Sequence, residues 1–132
     1  MTVIADEEVQ GAEGFDTKQY SASDGLILSY RDYGQKSRDK VPVMCLAGLT
    51  RNSVDFHETA LRLAAAGHRV IAPDYRGRGK SSYDPDWRNY NPFTHLGDVD
   101  NLLTALNLHK VVIIGTSFGG LLSMAMAVSR PR

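Results

Sequence analysis

The 132-residue sequence lacks the features that mark disulfide-rich, nucleic-acid-binding, membrane-spanning or secreted proteins. It contains one cysteine, Cys45, so no disulfide can form within the chain. Fifteen Lys and Arg residues balance fifteen Asp and Glu residues, so net charge gives no reason to expect binding to nucleic acid or an anionic membrane. No apolar run approaches the length of a membrane-spanning helix, and the acidic N-terminus is unlike a secretory signal. We therefore expect a cytoplasmic protein.

What remains is the composition of one globular domain. Hydrophobic residues make up 42% of the chain and charged residues 23%. Residues 1–14 mix acids and small residues, which predicts a flexible N-terminal tail, and residues 15–132 are expected to form the folded part. Cys45 stands in an apolar run and is expected to be a small buried hydrophobe, not a reactive thiol.

The N-terminal part of the folded region has the pattern of a hairpin. Phe15 to Ser21 and Leu26 to Tyr33 are candidate strands, and Asp24-Gly25 between them is a turn signal. A near-continuous apolar run then follows from Val41 to Ala47, which is typical of a strand buried on both faces of a sheet.

Strands and helices alternate over the rest of the chain. Helical spacing of apolar residues, with glycine and proline at the ends, predicts the following order: helix 53–66, strand 69–72, a long loop, helix 93–108, strand 111–114 and helix 118–129. Such alternation implies parallel strands with right-handed crossovers. The predicted fold is a three-layer α/β/α sandwich, whose mostly parallel sheet is extended by the N-terminal antiparallel hairpin.

A serine stands at the junction of the last strand and the last helix, in Gly115-Thr116-Ser117-Phe118-Gly119. The flanking glycines have no side chains to clash in a sharp bend, and such a bend would expose the Ser117 hydroxyl as a nucleophile. The N-terminus of the following helix presents free N–H groups, so the Phe118 amide is a candidate oxyanion donor. The alternative is an ordinary loop with a serine N-cap.

Two further loops are candidates for the same site. Gly48, Leu49 and Thr50 follow the strand at Val41, and we expect the Leu49 amide to be the second oxyanion donor, with Gly48 and Thr50 lining the pocket. The basic turn from Asp74 to Ser81 lacks the phosphate-loop and dinucleotide patterns, so we interpret it as structural, held by the side chains of Asp74 and Arg76. No metal or cofactor is expected.

These pieces together resemble the N-terminal half of an α/β-hydrolase-fold serine hydrolase. The match comprises Leu46-Ala47-Gly48-Leu49, then Asp74-Tyr75-Arg76-Gly77-Arg78-Gly79-Lys80-Ser81, then the serine turn, and it covers about residues 20–132. The resemblance implies hydrolysis of a small ester-like substrate by Ser117. Amide or carbon–carbon bond hydrolysis by the same fold remains open. Serine at position 117 argues against relatives that use aspartate there.

The histidine and acid that such an enzyme needs are not found after Ser117. All four histidines (His57, His68, His95 and His109) precede it. We expect His68 and His109 on the surface, allow His57 or His95 to line the pocket, and place Asp98 and Asp100 on the solvated side of their helix. The resemblance then implies an incomplete α/β-hydrolase fold, inactive alone. Two alternatives are one half of a two-chain enzyme and a non-catalytic binding module. The strand Val111–Ile114 is then an apolar edge, prone to self-association.

Overall fold

The computed structural model of the chain describes residues 14–34, 40–48 and 51–129. Of the predicted N-terminal tail, all but Gly14 lies outside these ranges. Leu49 and Thr50, proposed above for the site, also lie outside them.

The N-terminal hairpin forms as predicted. Strands β1 (Phe15–Ser21) and β2 (Ile27–Tyr33) pair antiparallel along their whole length. Their turn is closed by a hydrogen bond from Ala22 N to Leu26 O of 2.8 Å, and the Asp24 carboxylate accepts from Leu26 N at 3.1 Å. This side-chain hydrogen bond is the reason why Asp24 favours a turn at this position.

Three short parallel strands continue the sheet, whose order is β1-β2-β4-β3-β5. Strands β3 (Val43–Leu46) and β4 (Val70–Pro73) are buried at every residue, which explains their unbroken apolar sequences. Strand β5 (Val112–Gly115) pairs parallel with β3, and β2 pairs antiparallel with β4. The hairpin therefore extends a parallel sheet, as predicted, and the mixed sheet has five strands.

Three α-helices cover the sheet. Helix α1 (His57–Ala65) follows a 3-10 turn at Ser53–Phe56, α2 spans Pro92–Ala105, and α3 spans Phe118–Ser129. The crossovers from β3 to β4 and from β4 to β5 run in opposite directions across the sheet. Because such crossovers are right-handed, α1 and α2 lie on opposite faces. Helix α3 packs against α2, which completes the predicted three-layer arrangement.

The last strand is an edge within the described part of the chain. There β5 pairs with β3 alone, and Val112 is 51% exposed. Helix α3 also exposes three large apolar side chains at helical spacing, Leu121, Met124 and Val128. The apolar edge expected from the sequence is present, and an apolar helix face accompanies it.

Candidate active site

The serine turn lies where β5 gives way to α3. Ser117 has a φ of 53°, a left-handed backbone conformation that non-glycine residues rarely adopt. Its side chain is exposed. An exposed serine held in a strained strand-to-helix turn is the geometry expected of a nucleophile.

Close backbone contacts explain why glycines flank the serine. A Cβ on Gly119 would overlap the carbonyl oxygen of Leu46 and lie 2.6 Å from its carbon, and a Cβ on Gly115 would lie 2.6 Å from Gly120 N. Thr116 N also donates to Leu46 O at 3.1 Å. The turn is thus pressed against the end of β3, where a side chain at Gly119 would force it away, and a side chain at Gly115 would clash with the start of α3.

The amide of Phe118 is the first of helix α3. The first N–H groups of a helix have no acceptor within it, so they favour a negative charge placed beyond the helix end. Gly48, in the loop after β3, lies beside the serine turn, since a Cβ on it would be 3.9 Å from Thr116 O. Gly48 and Phe118 therefore flank the serine from two elements. The predicted donor at Leu49 falls outside the described residues.

In the turn after β4, Asp74 has the structural role that the sequence predicted, whereas Arg76 binds carboxylates outside the turn. The Asp74 carboxylate accepts from Ser53 N at 2.7 Å and from Lys80 N at 3.1 Å. Ser81 Oγ donates to Asp74 O at 2.7 Å and accepts from Ser29 N at 2.8 Å. The Asp74 carboxylate and the Ser81 hydroxyl therefore bind backbone groups of the turn and of neighbouring segments, which is a structural role.

Arg76 is the centre of a buried ion cluster. Its guanidinium donates to both oxygens of Asp98 at 2.8 and 2.6 Å, to Asp84 at 2.7 Å and to Asp24 at 2.8 Å. These hydrogen bonds, those with Asp98 foremost, raise the pKa of Arg76 further above its usual range. The pKa of Asp24 is lowered by its hydrogen bond to Arg76.

Asp98 corrects one sequence prediction, because it lies on the buried side of α2 and not on the solvated side. It is 5% exposed, and its carboxylate binds Arg76. Helical spacing alone could have predicted the burial of Asp98. Asp98 falls three residues after His95 and four before Leu102, both of which are buried. The preference of carboxylates for water is outweighed here by an arginine 22 residues away in sequence.

Three of the histidines have partners away from the serine turn. His57 Nδ1 lies 2.9 Å from Tyr33 Oη, and its ring packs on Phe15, so it faces the hairpin and not the serine. His68 Nδ1 lies 2.8 Å from the Val41 carbonyl, and the exposed His109 lies 2.8 Å from the Asn107 side chain. Among the described residues no histidine hydrogen-bonds to Ser117.

His95 is the histidine nearest the serine turn. Its ring centroid lies 5.6 Å from that of Phe118 and 5.2 Å from that of Tyr75. It is 3% exposed, and its Nδ1 has no hydrogen-bond partner among the residues that the structure describes. Burial, followed by the charges of Arg76 and Arg78, lowers the pKa of His95 to about 4. Sequence reasoning placed this residue near the pocket but gave no sign that it was buried.

Neither a metal site nor a membrane-spanning helix is found in the part of the chain that the structure describes. No three side chains of His, Cys, Asp or Glu converge there as metal ligands. No helix within it has the length and apolarity needed to cross a bilayer. Burial raises the pKa of the Cys45 thiol to about 11, which keeps it protonated and unreactive.

Comparison with known proteins adds independent findings. The sequence model of a family described as alpha/beta hydrolase fold matches residues 41–132. The chain is 36% identical over 100 residues to a 3-hydroxybutyrate-oligomer hydrolase of Cupriavidus necator, covering 76% of this chain and 33% of the relative. It is 32% identical over 115 residues to an epoxide hydrolase of Caballeronia sordidicola, covering 86% and 34%.

A solved structure gives the same result. An alpha/beta hydrolase from Novosphingobium aromaticivorans superposes with a TM-score of 0.85 at 42% identity, over 89% of this chain and 41% of that one. The chain spans about a third of the length of the curated relatives named above.

Proposed function

Because the chain belongs to the α/β-hydrolase fold family, we propose that it carries the nucleophile of a serine hydrolase acting on ester-type bonds. The observation that carries the proposal is Ser117, exposed at φ 53° between β5 and α3. An ordinary serine N-cap has extended backbone angles and needs no such strain, so the left-handed turn favours the nucleophile.

The proposed reaction is a two-step acyl transfer. Ser117 Oγ attacks the substrate carbonyl, and the amides of Phe118 and Leu49 hold the oxygen that becomes negative. The ester bond then breaks, the alcohol leaves with a proton, and water releases the acid from the serine. Serine at position 117 supports this route over opening of an epoxide by an aspartate, although one relative is named an epoxide hydrolase.

The proton transfers need a histidine, and the structure supports none of the four for this role. His57, His68 and His109 bind elsewhere, and His95 is buried with its pKa lowered. We therefore propose that the 132-residue chain turns over substrate feebly by itself, as one part of an active site. Amide or carbon–carbon bond hydrolysis would use the same nucleophile and oxyanion donors.

Covalent labelling tests the nucleophile. A fluorophosphonate probe should label the chain slowly, because the oxyanion donors remain when other catalytic groups are missing. Ser117→Ala should abolish labelling, whereas Ser123→Ala should not. Ser123 is a matched control on α3, where its hydroxyl donates to Gly119 O at 2.8 Å. Absence of labelling at Ser117 would contradict the proposed nucleophile. Labelling as fast as in a complete serine hydrolase would contradict the proposal that the chain lacks a catalytic base.

The edge of the sheet supports a second part of the proposal. Strand β5 is half-exposed, and Leu121, Met124 and Val128 on α3 expose further apolar surface. Unpaired strand edges readily accept another strand. We propose that the isolated chain self-associates through β5, and that a chain supplying the histidine would dock on this same edge.

A further inference from the structure

Three rings pack together directly behind the serine turn. Tyr75 follows β4, His95 lies in α2, and Phe118 is the first residue of α3. The Tyr75 and Phe118 centroids are 5.5 Å apart with planes at 82°, and His95 meets Phe118 at the same angle. His95 and Tyr75 are 5.2 Å apart. Each ring thus contacts the other two, in the edge-to-face and tilted geometries that aromatic groups favour.

This ring cluster joins both sides of the proposed oxyanion hole. Tyr75 Oη donates a buried hydrogen bond of 2.7 Å to Ala47 O, in the loop that leads into Gly48. Phe118 carries the amide on the other side. A displacement of any ring in the cluster would therefore move one wall of the oxyanion hole relative to the other.

His95 is the member of the cluster that can change its charge in mild acid. Its ring is buried, and its Nδ1 has no partner among the described residues. Positive charge faces it from the turn after β4, where Arg76 and Arg78 oppose protonation. Asp98, one turn further along α2, is bound to Arg76, while Tyr75 and Phe118 contribute no charge. At neutral pH the ring is uncharged, which suits its surroundings.

We propose that His95 is a positioning residue whose uncharged ring fixes Phe118 and Tyr75, and that acid displaces the Phe118 amide by charging this ring. A buried imidazolium whose Nδ1 has no acceptor among the described residues is costly, so the charged ring would move toward water and leave the cluster. This inference rests on the proposed function, because it assumes that Phe118 supplies an oxyanion donor.

Nuclear magnetic resonance of the full chain tests the coupling without any need for activity. Between pH 7 and pH 3.5, the Phe118 amide shift should follow the same midpoint as the His95 imidazole, near pH 4. The Leu102 amide on the same helix reports on unfolding and should keep its shift at that midpoint. Different midpoints for Phe118 and His95, or simultaneous collapse of the Leu102 signal, would overturn the inference. This comparison uses the unaltered protein, so it does not depend on whether a variant folds.

Variants then separate the charge of His95 from its shape. His95→Phe keeps a ring in the cluster and should remove the Phe118 transition near pH 4, whereas His109→Phe, at an exposed site, should leave it in place. Labelling rates give a second measurement. Relative to His95→Phe, the unaltered chain should react with the fluorophosphonate about half as fast at pH 4 as at pH 6, because half of the imidazole is charged at pH 4. A persistent Phe118 transition in His95→Phe would refute the coupling. A loss of labelling at every pH, with the shared midpoint intact, would instead refute the nucleophile.

Discussion

Replacing Arg76 with methionine should destabilise the chain more than breaking any of the ion pairs that do not involve Arg76. The Arg76 side chain is 1% exposed and binds three carboxylates. Asp84 would keep its hydrogen bonds from Asn89 and from Asp86 N, and Asp24 is 44% exposed. The Asp98 carboxylate would lose its described partners while 6% exposed.

The magnitude follows from that one stranded charge. Removing one partner of a buried ion pair typically costs about 3–5 kcal/mol, because the other charge stays desolvated. The whole free energy of unfolding of a domain this size is about 5–15 kcal/mol. Arg76→Met should therefore remove a large share of the stability, and Asp98→Asn in the same chain should restore part of it, because a neutral amide is less costly to bury.

Urea unfolding followed by far-ultraviolet circular dichroism at pH 7 measures this loss as a lower midpoint with an unchanged slope. Arg88→Met is the matched control, since Arg88 also binds a carboxylate, that of Asp86, but is 75% exposed. It should leave the midpoint almost unchanged, because solvent screens an exposed ion pair. Equal losses in the two variants, or no recovery with Asp98→Asn, would refute the reasoning.

Four further predictions follow from the site and the sheet. Gly119→Ala should cost several kcal/mol in urea unfolding and abolish fluorophosphonate labelling, because its Cβ would overlap Leu46 O; an unchanged midpoint would contradict this. Ser117→Gly should be about 1 kcal/mol more stable than Ser117→Ala, the reverse of the usual helical order, because φ is 53°; greater stability of the alanine variant would argue against the strained turn. The pKa of His95 is lower in the folded chain than in the unfolded chain, so protonation favours unfolding and stability falls as pH falls. Between pH 7 and pH 5 the unaltered chain should lose about 2 kcal/mol more of its free energy of unfolding than His95→Phe. Parallel pH curves would refute this. Val112→Lys should shift the chain toward monomer in analytical ultracentrifugation, because it places a charge at the β5 edge; an unaltered sedimentation profile would place the association elsewhere.

Much of the fold was predictable because its signals are local. The bounds of β1 and α3 agree with the sequence prediction, because β1 leads into the turn at Asp24-Gly25 and α3 begins directly after the glycine-flanked serine. The predicted helix at Ser53 begins instead as a 3-10 turn, which Asn52 caps through a hydrogen bond from Val54 N. Asparagine and serine favour such turns over the interior of a helix, so the regular helix starts only at His57.

The site was predictable only where it depends on sequence neighbours. The glycines around Ser117 predicted the turn, whereas its close contact with Leu46 at the end of β3 could not be predicted from neighbouring residues. The burial of Asp98 and His95 depends on partners from other elements, Arg76 in one case and Tyr75 with Phe118 in the other. Composition and periodicity do not show which distant side chains will meet, so the charge cluster and the ring cluster emerged only in three dimensions.

The contact between Gly119 and Leu46 determines when the turn of the proposed nucleophile forms during folding. Because the serine turn is pressed against β3, its geometry is set when two neighbouring parallel strands pair, and no substrate is needed to induce it. The cost of the left-handed serine is then met by the sheet itself. Under the proposed function, a docking chain would meet Ser117 already in its left-handed conformation, so the sheet would form first and the catalytic base would be added afterwards.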